Sequence, residues 1–142
     1  MGQRPEVWFG GVMICLDTDF LVALLHGVPA AVEEAKKLDA SGEVKCVTPV
    51  NMFELYLGAY LSEKSVENVR EVRGLLASLV HLAHDEESAR IAGEVGAELE
   101  AEGKPITLGD LMVAGMVKRH KCPILTRDKH FSQIKEMTVK SW

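Results

Sequence analysis

Short apolar runs bounded by polar or turn-forming residues predict five strands along the chain. The predicted strands are residues 12–17, 43–48, 80–84, 122–126 and 137–142. The segment 80–84 (VHLAH) mixes apolar side chains with two histidines, which is typical of an edge strand. None of the five contains an internal Gly-rich or Pro-rich turn.

Between these strands, apolar residues recur every three or four positions, and this period predicts amphipathic helices. The predicted helices are residues 20–27, 29–40, 49 to about 62, 65 to about 79, 86–101 and 108 to about 120. Thr48 and Thr107 are placed as helix N-caps, and Pro49 takes the first helical position after Thr48. Gly103 and Pro105 separate the last two helices.

Alternation of strands and helices predicts an α/β fold with a mostly parallel central sheet flanked by helices on both faces. A length of 142 residues fits one domain, which we place at residues 13–142. Residues 1–12 show no clear period and are assigned to an N-terminal extension. In open parallel sheets, functional sites lie beyond the carboxyl ends of the strands.

The composition, with 47% hydrophobic and 26% charged residues, is that of a soluble globular protein. The apolar stretch 12–16 is too short to span a membrane, and no signal peptide is recognised, so a cytoplasmic protein is expected. The three cysteines, Cys15, Cys46 and Cys122, form no CxxC pair and are predicted to be small core residues in a reducing compartment. A net charge of −5 argues against a generally basic nucleic-acid-binding surface.

Four acidic residues stand out because they interrupt apolar segments in which charge is otherwise rare. Asp17 follows the first strand, Glu54 lies inside an apolar helix, Asp110 begins another helix, and Asp128 follows the fourth strand. Strand ends and first helical turns meet at the carboxyl edge of a parallel sheet, so the four side chains are expected to share one cleft.

Close carboxylates repel one another, at a cost on the order of several kcal/mol for each adjacent pair at an effective dielectric of ~20. A bound divalent cation removes that repulsion, and oxygen donors are the ligands that Mg²⁺ and Mn²⁺ prefer. Such a cation activates water and stabilises the charge of a phosphodiester transition state. The set therefore favours a nuclease, and it leaves the remaining surface close to neutral.

Each acid also has a purely structural interpretation. Asp110 forms a capping-box-like pattern with Thr107, and Asp128 in TRDKH has the character of a turn residue. Asp17 or Asp19 is a possible cap for the helix that starts near Phe20, and Asp19 fits that role better. Glu54 lies in a helix interior, where no cap is needed.

Four segments, ICLDTDFLVALL, TPVNMFELYLGA, PITLGDLMVAGMV and ILTRDKHFSQI, resemble the PIN-domain family in order and separation. The resemblance is greatest to the VapC-type toxins of VapBC toxin–antitoxin pairs, and it extends from residue 13 onward. It implies a Mg²⁺- or Mn²⁺-dependent endoribonuclease that leaves a 5′-phosphate and a 3′-hydroxyl. The ligand acids would be Asp17, Glu54, Asp110 and Asp128.

The same resemblance assigns supporting positions to two hydroxyl residues, Thr18 and Thr126. Asp19 departs from the family pattern, in which Ser or Asn is more common, and is interpreted as a cap rather than an added ligand. Arg127 and Lys129 are candidate RNA contacts. The resemblance also implies an antitoxin lying in a groove beside the cleft.

A homodimer is implied as well, and one sequence feature agrees with it. Two helices carry more large apolar side chains than one core face needs, which indicates an interface unless these helices are sandwiched inside the monomer. The residues concerned are Phe53, Tyr56, Leu57, Tyr60, Leu61, Leu111, Met112, Met116 and Val117.

Two other functions stay open. Asp17-Thr18-Asp19 after a strand resembles the start of a haloacid-dehalogenase-type phosphatase, although Phe20 and Leu21 stand where that family has small and hydroxyl residues. A PIN-like fold that had lost catalysis would serve as an RNA-binding or assembly module. The sequence does not identify the RNA, because RNA selection depends on surface shape around the cleft.

Overall fold

Five parallel strands form one sheet in the computed structural model, which describes residues 13–142. The strands are β1 (Met13–Leu16), β2 (Val44–Val47), β3 (Val80–His81), β4 (Ile124–Leu125) and β5 (Val139–Lys140). Their order across the sheet is β3-β2-β1-β4-β5, and every neighbouring pair is parallel. The parallel sheet is confirmed, with strands shorter than predicted. The proposed extension, residues 1–12, lies outside the described residues.

Within residues 13–142, six α-helices and one short 3₁₀ helix connect these strands. They are α1 (Thr18–Leu25), α2 (Pro29–Ser41), α3 (Pro49–Leu61), α4 (Ser65–Ala77), α5 (Glu86–Ala101), α6 (Leu108–His120) and the 3₁₀ helix Lys129–Gln133. All six predicted helices are confirmed. Some bounds differ: α1 both begins and ends two residues earlier than predicted, and α4 ends at Ala77 rather than near residue 79. The 3₁₀ helix was not predicted.

The two faces of the sheet pack against different helices, because successive side chains of a strand point to opposite sides. Ile14 and Leu16 of β1 belong to an apolar cluster with residues of α1–α4. Met13 and Cys15 belong to a second cluster with residues of α5, α6 and the 3₁₀ helix. Helices on both faces are therefore confirmed.

Three cysteines lie in the second of these clusters. Cys15 and Cys46 are register partners on β1 and β2, and Cys122 precedes β4. All three are buried and none forms a disulfide, as expected of small core residues.

Polar residues begin where the central strands end. Asp17 follows β1, Thr48 follows β2 and Thr126 follows β4, all at the same edge because the strands are parallel. Helices α1 and α3 start directly from the first two of these residues, so their amide-bearing N-termini face this edge as well. Among residues 13–142, no helix has both the length and the apolar character required to cross a membrane.

Candidate metal centre at the carboxyl edge of the sheet

The four predicted acids line one solvent-open cavity of about 320 Å³. Its lining consists of Asp17, Thr18, Asp19, Glu54, Asp110 and Asp128. These residues come from four separate segments of the chain, and the parallel sheet brings them together. The convergence expected from strand ends and helix starts is therefore present in the structure.

Asp17 lies at the floor of the cavity and is 8% exposed. Its Oδ1 accepts hydrogen bonds from the Thr18 amide at 2.9 Å and from Asn51 Nδ2 at 3.0 Å. Its Oδ2 accepts from the Thr126 hydroxyl at 2.6 Å. The carboxylate is thus held in one orientation from both sides, and its amide contact makes it the N-cap of α1.

Burial raises the pKa of Asp17 to about 6, because removal from water disfavours the charged form. The hydrogen bonds from Thr126 and Thr18 oppose this rise in pKa, whereas the nearby carboxylates of Asp19 and Asp110 add to it. A bound cation would therefore stabilise the charged form of this carboxyl group, which burial and the neighbouring negative charges disfavour.

Asn51 is a site residue that the sequence analysis missed. It is fully buried, and its Nδ2 donates both to Asp17 Oδ1 and to Thr18 Oγ1, each at 3.0 Å. Its own Oδ1 accepts from the Thr48 amide at 3.3 Å, and its main-chain amide donates to the Thr48 hydroxyl at 3.2 Å, so the two residues form a reciprocal capping box at the start of α3. The Thr48-x-x-Asn51 spacing was a visible signal for the cap, although not for the contact with Asp17.

Glu54 projects from the second turn of α3, and its Oε1 accepts a 2.5 Å hydrogen bond from the Thr18 hydroxyl. A methyl group added at Gly109 would lie 3.9 Å from Glu54 Oε2, which shows how closely the first turn of α6 approaches this carboxylate. Thr18 and Thr126, both predicted as supporting residues, each orient one acid of the cavity.

The prediction that Asp19 caps a helix is wrong. Helix α1 already begins at Thr18 with Asp17 as its cap, so Asp19 lies in the first turn. Its Oδ2 accepts from the Arg127 amide at 2.8 Å. Its Oδ1 is buried and has no hydrogen-bond partner among residues 13–142. An unsatisfied carboxylate oxygen beside the cavity is an acceptor available to a cation or to its bound water.

Asp110 and Asp128 approach each other on the far side of the cavity, with His130 between them. His130 Nδ1 lies 3.3 Å from Asp110 Oδ2 and 3.2 Å from Asp128 Oδ1. Thr107 does cap α6 by accepting from the Asp110 amide, and Asp128 caps the 3₁₀ helix by accepting from the His130 amide. In Asp110 the capping contact uses only the main chain, so its carboxylate is left for the cavity.

Arg127, predicted as an RNA contact, is engaged with Trp142. Its guanidinium carbon lies 3.5 Å from the centre of the indole ring, and its Nε donates to the Trp142 carbonyl at 2.7 Å. Trp142 in turn packs edge-on against Phe20. An RNA phosphate would have to compete with this stacking, whereas Lys129 is exposed beside Asp128.

The residues present fit a hard divalent cation. The donors are carboxylate oxygens, the ligand type that Mg²⁺ and Mn²⁺ prefer, and they line an open cavity with room for bound water. The unpartnered Asp19 Oδ1 and the raised pKa of Asp17 both describe a site in which negative charge is incompletely balanced by the protein.

Comparison with known proteins agrees with this geometry. The family model described as PIN domain matches residues 14–137. The tRNA(fMet)-specific endonuclease VapC of Shigella flexneri is 27% identical over 128 residues, which cover 89% of this chain and 96% of that protein.

Two solved structures share the fold. The DNA-bound VapBC of Salmonella typhimurium superposes with a TM-score of 0.83 at 26% identity, covering 92% of this chain and 98% of the matched chain. The VapBC2 of Rickettsia felis, bound to a promoter DNA fragment, gives a TM-score of 0.84 at 20% identity with the same coverage. The haloacid-dehalogenase-type interpretation of Asp17-Thr18-Asp19 finds no support in these matches.

Proposed function

The chain belongs to the PIN domain family, and on that premise we propose that it is a divalent-metal-dependent endoribonuclease. The observation that carries the proposal is the shared cavity of Asp17, Glu54, Asp110 and Asp128. An open cleft lined by carboxylates from four segments suits an extended polyanion only when a cation offsets its charge.

In this proposal the four acids hold Mg²⁺ or Mn²⁺ directly or through water. When bound, the cation supplies positive charge that polarises water and the scissile phosphate. Water then attacks phosphorus and the bond to the 3′-oxygen breaks, leaving a 5′-phosphate and a 3′-hydroxyl.

The surrounding residues keep these ligands in place. Asn51 and Thr126 fix the orientation of Asp17 from opposite sides, and Thr18 holds Glu54. Because these partners are themselves buried or half-buried, the ligand geometry exists before the cation arrives, which lowers the cost of organising the site.

Cleavage of a mixed RNA pool by the purified protein tests the proposal. We expect cleavage with Mg²⁺ or Mn²⁺, none with EDTA, and loss of cleavage in Asp17→Asn and Glu54→Gln. Glu98→Gln, an exposed acid on α5, is the matched control and should cut like wild type. Metal binding and RNA binding without cleavage would instead identify an inactive RNA-binding module.

We further propose that the protein is the toxin of a toxin–antitoxin pair and acts in the cytoplasm. An apolar groove of about 290 Å³ runs between α1, α3 and α4, with Glu54 at one end. Val22, Leu25, Leu55 and Val72 give it an apolar lining. This groove matches the amphipathic antitoxin segment implied by the resemblance, and its occupant would reach the catalytic cavity.

Gly58 offers a test of the groove. It lines the groove, and a methyl group added there would meet nothing within 4 Å. We expect Gly58→Leu to fill the groove and to reduce binding of the antitoxin at least about tenfold, while RNA cleavage persists. Gly58→Ala is the size control. The measurement is binding of the small protein encoded by the adjoining gene, and equal binding by all three proteins would exclude the groove.

A homodimer is proposed through the outer face of α3. Phe53, Leu57, Tyr60 and Leu61 are between 44% and 78% exposed, which is unusual for four large apolar side chains on one helix. Met116 and Val117, by contrast, are buried inside the monomer. The apolar excess seen in the sequence thus has two origins, one in the core and one at a surface suited to a second copy.

A further inference from the structure

His130 lies between two of the proposed metal ligands, and the proposed function so far gives it no role. One potential ligand atom from each of His130, Asp110 and Asp128 lies within 4.8 Å of the other two. Among the described residues, this is the one group of three His, Cys, Asp or Glu side chains with ligand atoms so close together.

The position of His130 is fixed by the fold. Its amide donates to Asp128 Oδ1 at 2.9 Å, and the next residue, Phe131, is fully buried against the second face of the sheet. The 3₁₀ helix between Lys129 and Gln133 therefore holds the imidazole, from an anchored segment, against Asp110 and Asp128, which line the cavity.

The distances from His130 Nδ1 to the two carboxylate oxygens are close to those between adjacent ligands around one ion. Bonds of ~2.1 Å at right angles place neighbouring donors ~3.0 Å apart. His130 Nδ1 lies 3.3 Å from Asp110 Oδ2 and 3.2 Å from Asp128 Oδ1, so only small adjustments separate this arrangement from shared coordination.

Building on the proposed metal-dependent function, we propose that His130 is a nitrogen ligand of the metal centre and determines its choice of ion. Imidazole binds first-row transition-metal ions, Mn²⁺ included, more strongly than it binds Mg²⁺, which favours oxygen donors. A centre with one imidazole and several carboxylates accepts Mn²⁺ readily and binds it in preference to Mg²⁺. The carboxylates without the imidazole bind the two ions more evenly.

A different role for the same geometry is a hydrogen bond from Nδ1–H to one or both carboxylates. That role would orient Asp110 and Asp128 for any cation, so its loss would weaken Mg²⁺ and Mn²⁺ binding by the same factor. Ion selectivity, rather than affinity alone, therefore separates a ligand from a residue that only positions ligands.

The experiment measures Mn²⁺ affinity of the full chain by electron paramagnetic resonance and Mg²⁺ affinity by competition. We expect His130→Ala to weaken Mn²⁺ binding about tenfold or more and Mg²⁺ binding much less. His130→Asn, which offers an oxygen donor, should retain Mg²⁺ binding and lose the preference for Mn²⁺. His84→Ala, at a histidine that does not line the cavity, controls for nonspecific imidazole binding.

Nitrogen-14 coupling to the bound Mn²⁺, read by pulsed resonance, reports direct coordination. It should be present in wild type and His84→Ala and absent from both His130 variants. Equal losses for the two ions, or no nitrogen coupling in wild type, would overturn the ligand assignment while leaving the nuclease proposal intact. A wild-type protein that binds neither ion would overturn the metal-dependent function as well.

Discussion

At pH 8 in the presence of a chelator, we expect Asp17→Asn to be more stable than the wild-type protein. The pKa of Asp17 is raised to about 6 in the folded protein, against an ordinary value of 3.8 for an aspartate side chain. With Asp17 8% exposed, ionisation at pH 8 therefore costs the folded state on the order of 2–3 kcal/mol. Removing the charge should recover most of that free energy of unfolding while abolishing cleavage.

The pH dependence follows from the direction of the pKa shift. Below about pH 4 the carboxyl group is protonated in both the folded and unfolded states, so it imposes no penalty. Between about pH 4 and pH 6 the unfolded state ionises first and the wild-type protein loses stability. The advantage of Asp17→Asn should therefore be absent at pH 3.5, grow across this interval, and level off above pH 7.

Asparagine preserves the two contacts that Asp17 Oδ1 makes. Its amide oxygen accepts from the Thr18 amide and from Asn51, and asparagine is as good an N-cap as aspartate. Its amide group points at the Thr126 hydroxyl, which has Asp19 Oδ2 as an alternative acceptor at 3.4 Å. Asp17→Ala loses the cap and should be less stable than Asp17→Asn at every pH.

Urea unfolding in EDTA at pH 3.5, 5 and 8 measures the difference in stability between Asp17→Asn and wild type. The same measurement with Mn²⁺ in place of EDTA tests the effect of the cation. Wild type should gain stability with Mn²⁺, whereas Asp17→Asn should gain little. If Asp17→Asn is less stable than wild type at pH 8 in chelator, the carboxylate is a structural acceptor and the site is not electrostatically strained.

The parts of the site that could be predicted from the sequence are those that depend on local patterns and on the topology of the sheet. Contacts between residues far apart in the chain could not be predicted. The acids were found because charge inside apolar segments is rare, and because strand ends of a parallel sheet coincide in space. Asp17 and Glu54 could be selected as candidates without knowledge of any individual contact. The prediction that the acids share a cleft depended on the strand and helix order, which in turn was predicted from the spacing of apolar residues.

Asn51 shows where that reasoning stops. In sequence it is the third residue of a helix and pairs with Thr48, which is a complete local explanation. Its second role, the hydrogen bond from Nδ2 to Asp17, joins residues 34 positions apart and depends on the angle between α3 and β1. A short-range pattern that is already satisfied gives no sign of a long-range partner.

The error at Asp19 has a local cause. An N-cap was sought immediately before the first apolar helical residue, Phe20, whereas the helix begins two residues earlier at Thr18. Asp17 therefore serves as both the cap and a proposed ligand. The 3₁₀ helix that carries His130 escaped detection because five residues are too few to show a hydrophobic period.

We expect Gly115→Ala to destabilise the protein by about 1–3 kcal/mol or more, the range for overpacking in a well-packed core. Gly115 is buried in α6 where this helix crosses α5. A methyl group there would overlap the main-chain oxygen of Ser88 and lie 2.9 Å from the Ala92 side chain. Because one obstacle is backbone, the helices would have to separate, and Asp110 in the first turn of α6 would move with them.

Gly93→Ala on α5 is the matched control, since a methyl group there meets nothing within 4 Å. Alanine favours a helix over glycine by about 1 kcal/mol, so Gly93→Ala should be slightly more stable than wild type. Urea unfolding of the two variants separates crowding from helix propensity, and Mn²⁺ affinity reports whether Asp110 has shifted. A Gly115→Ala variant as stable as Gly93→Ala would mean that α5 and α6 lie farther apart than the structure places them, and the position of Asp110 would then have to be revised.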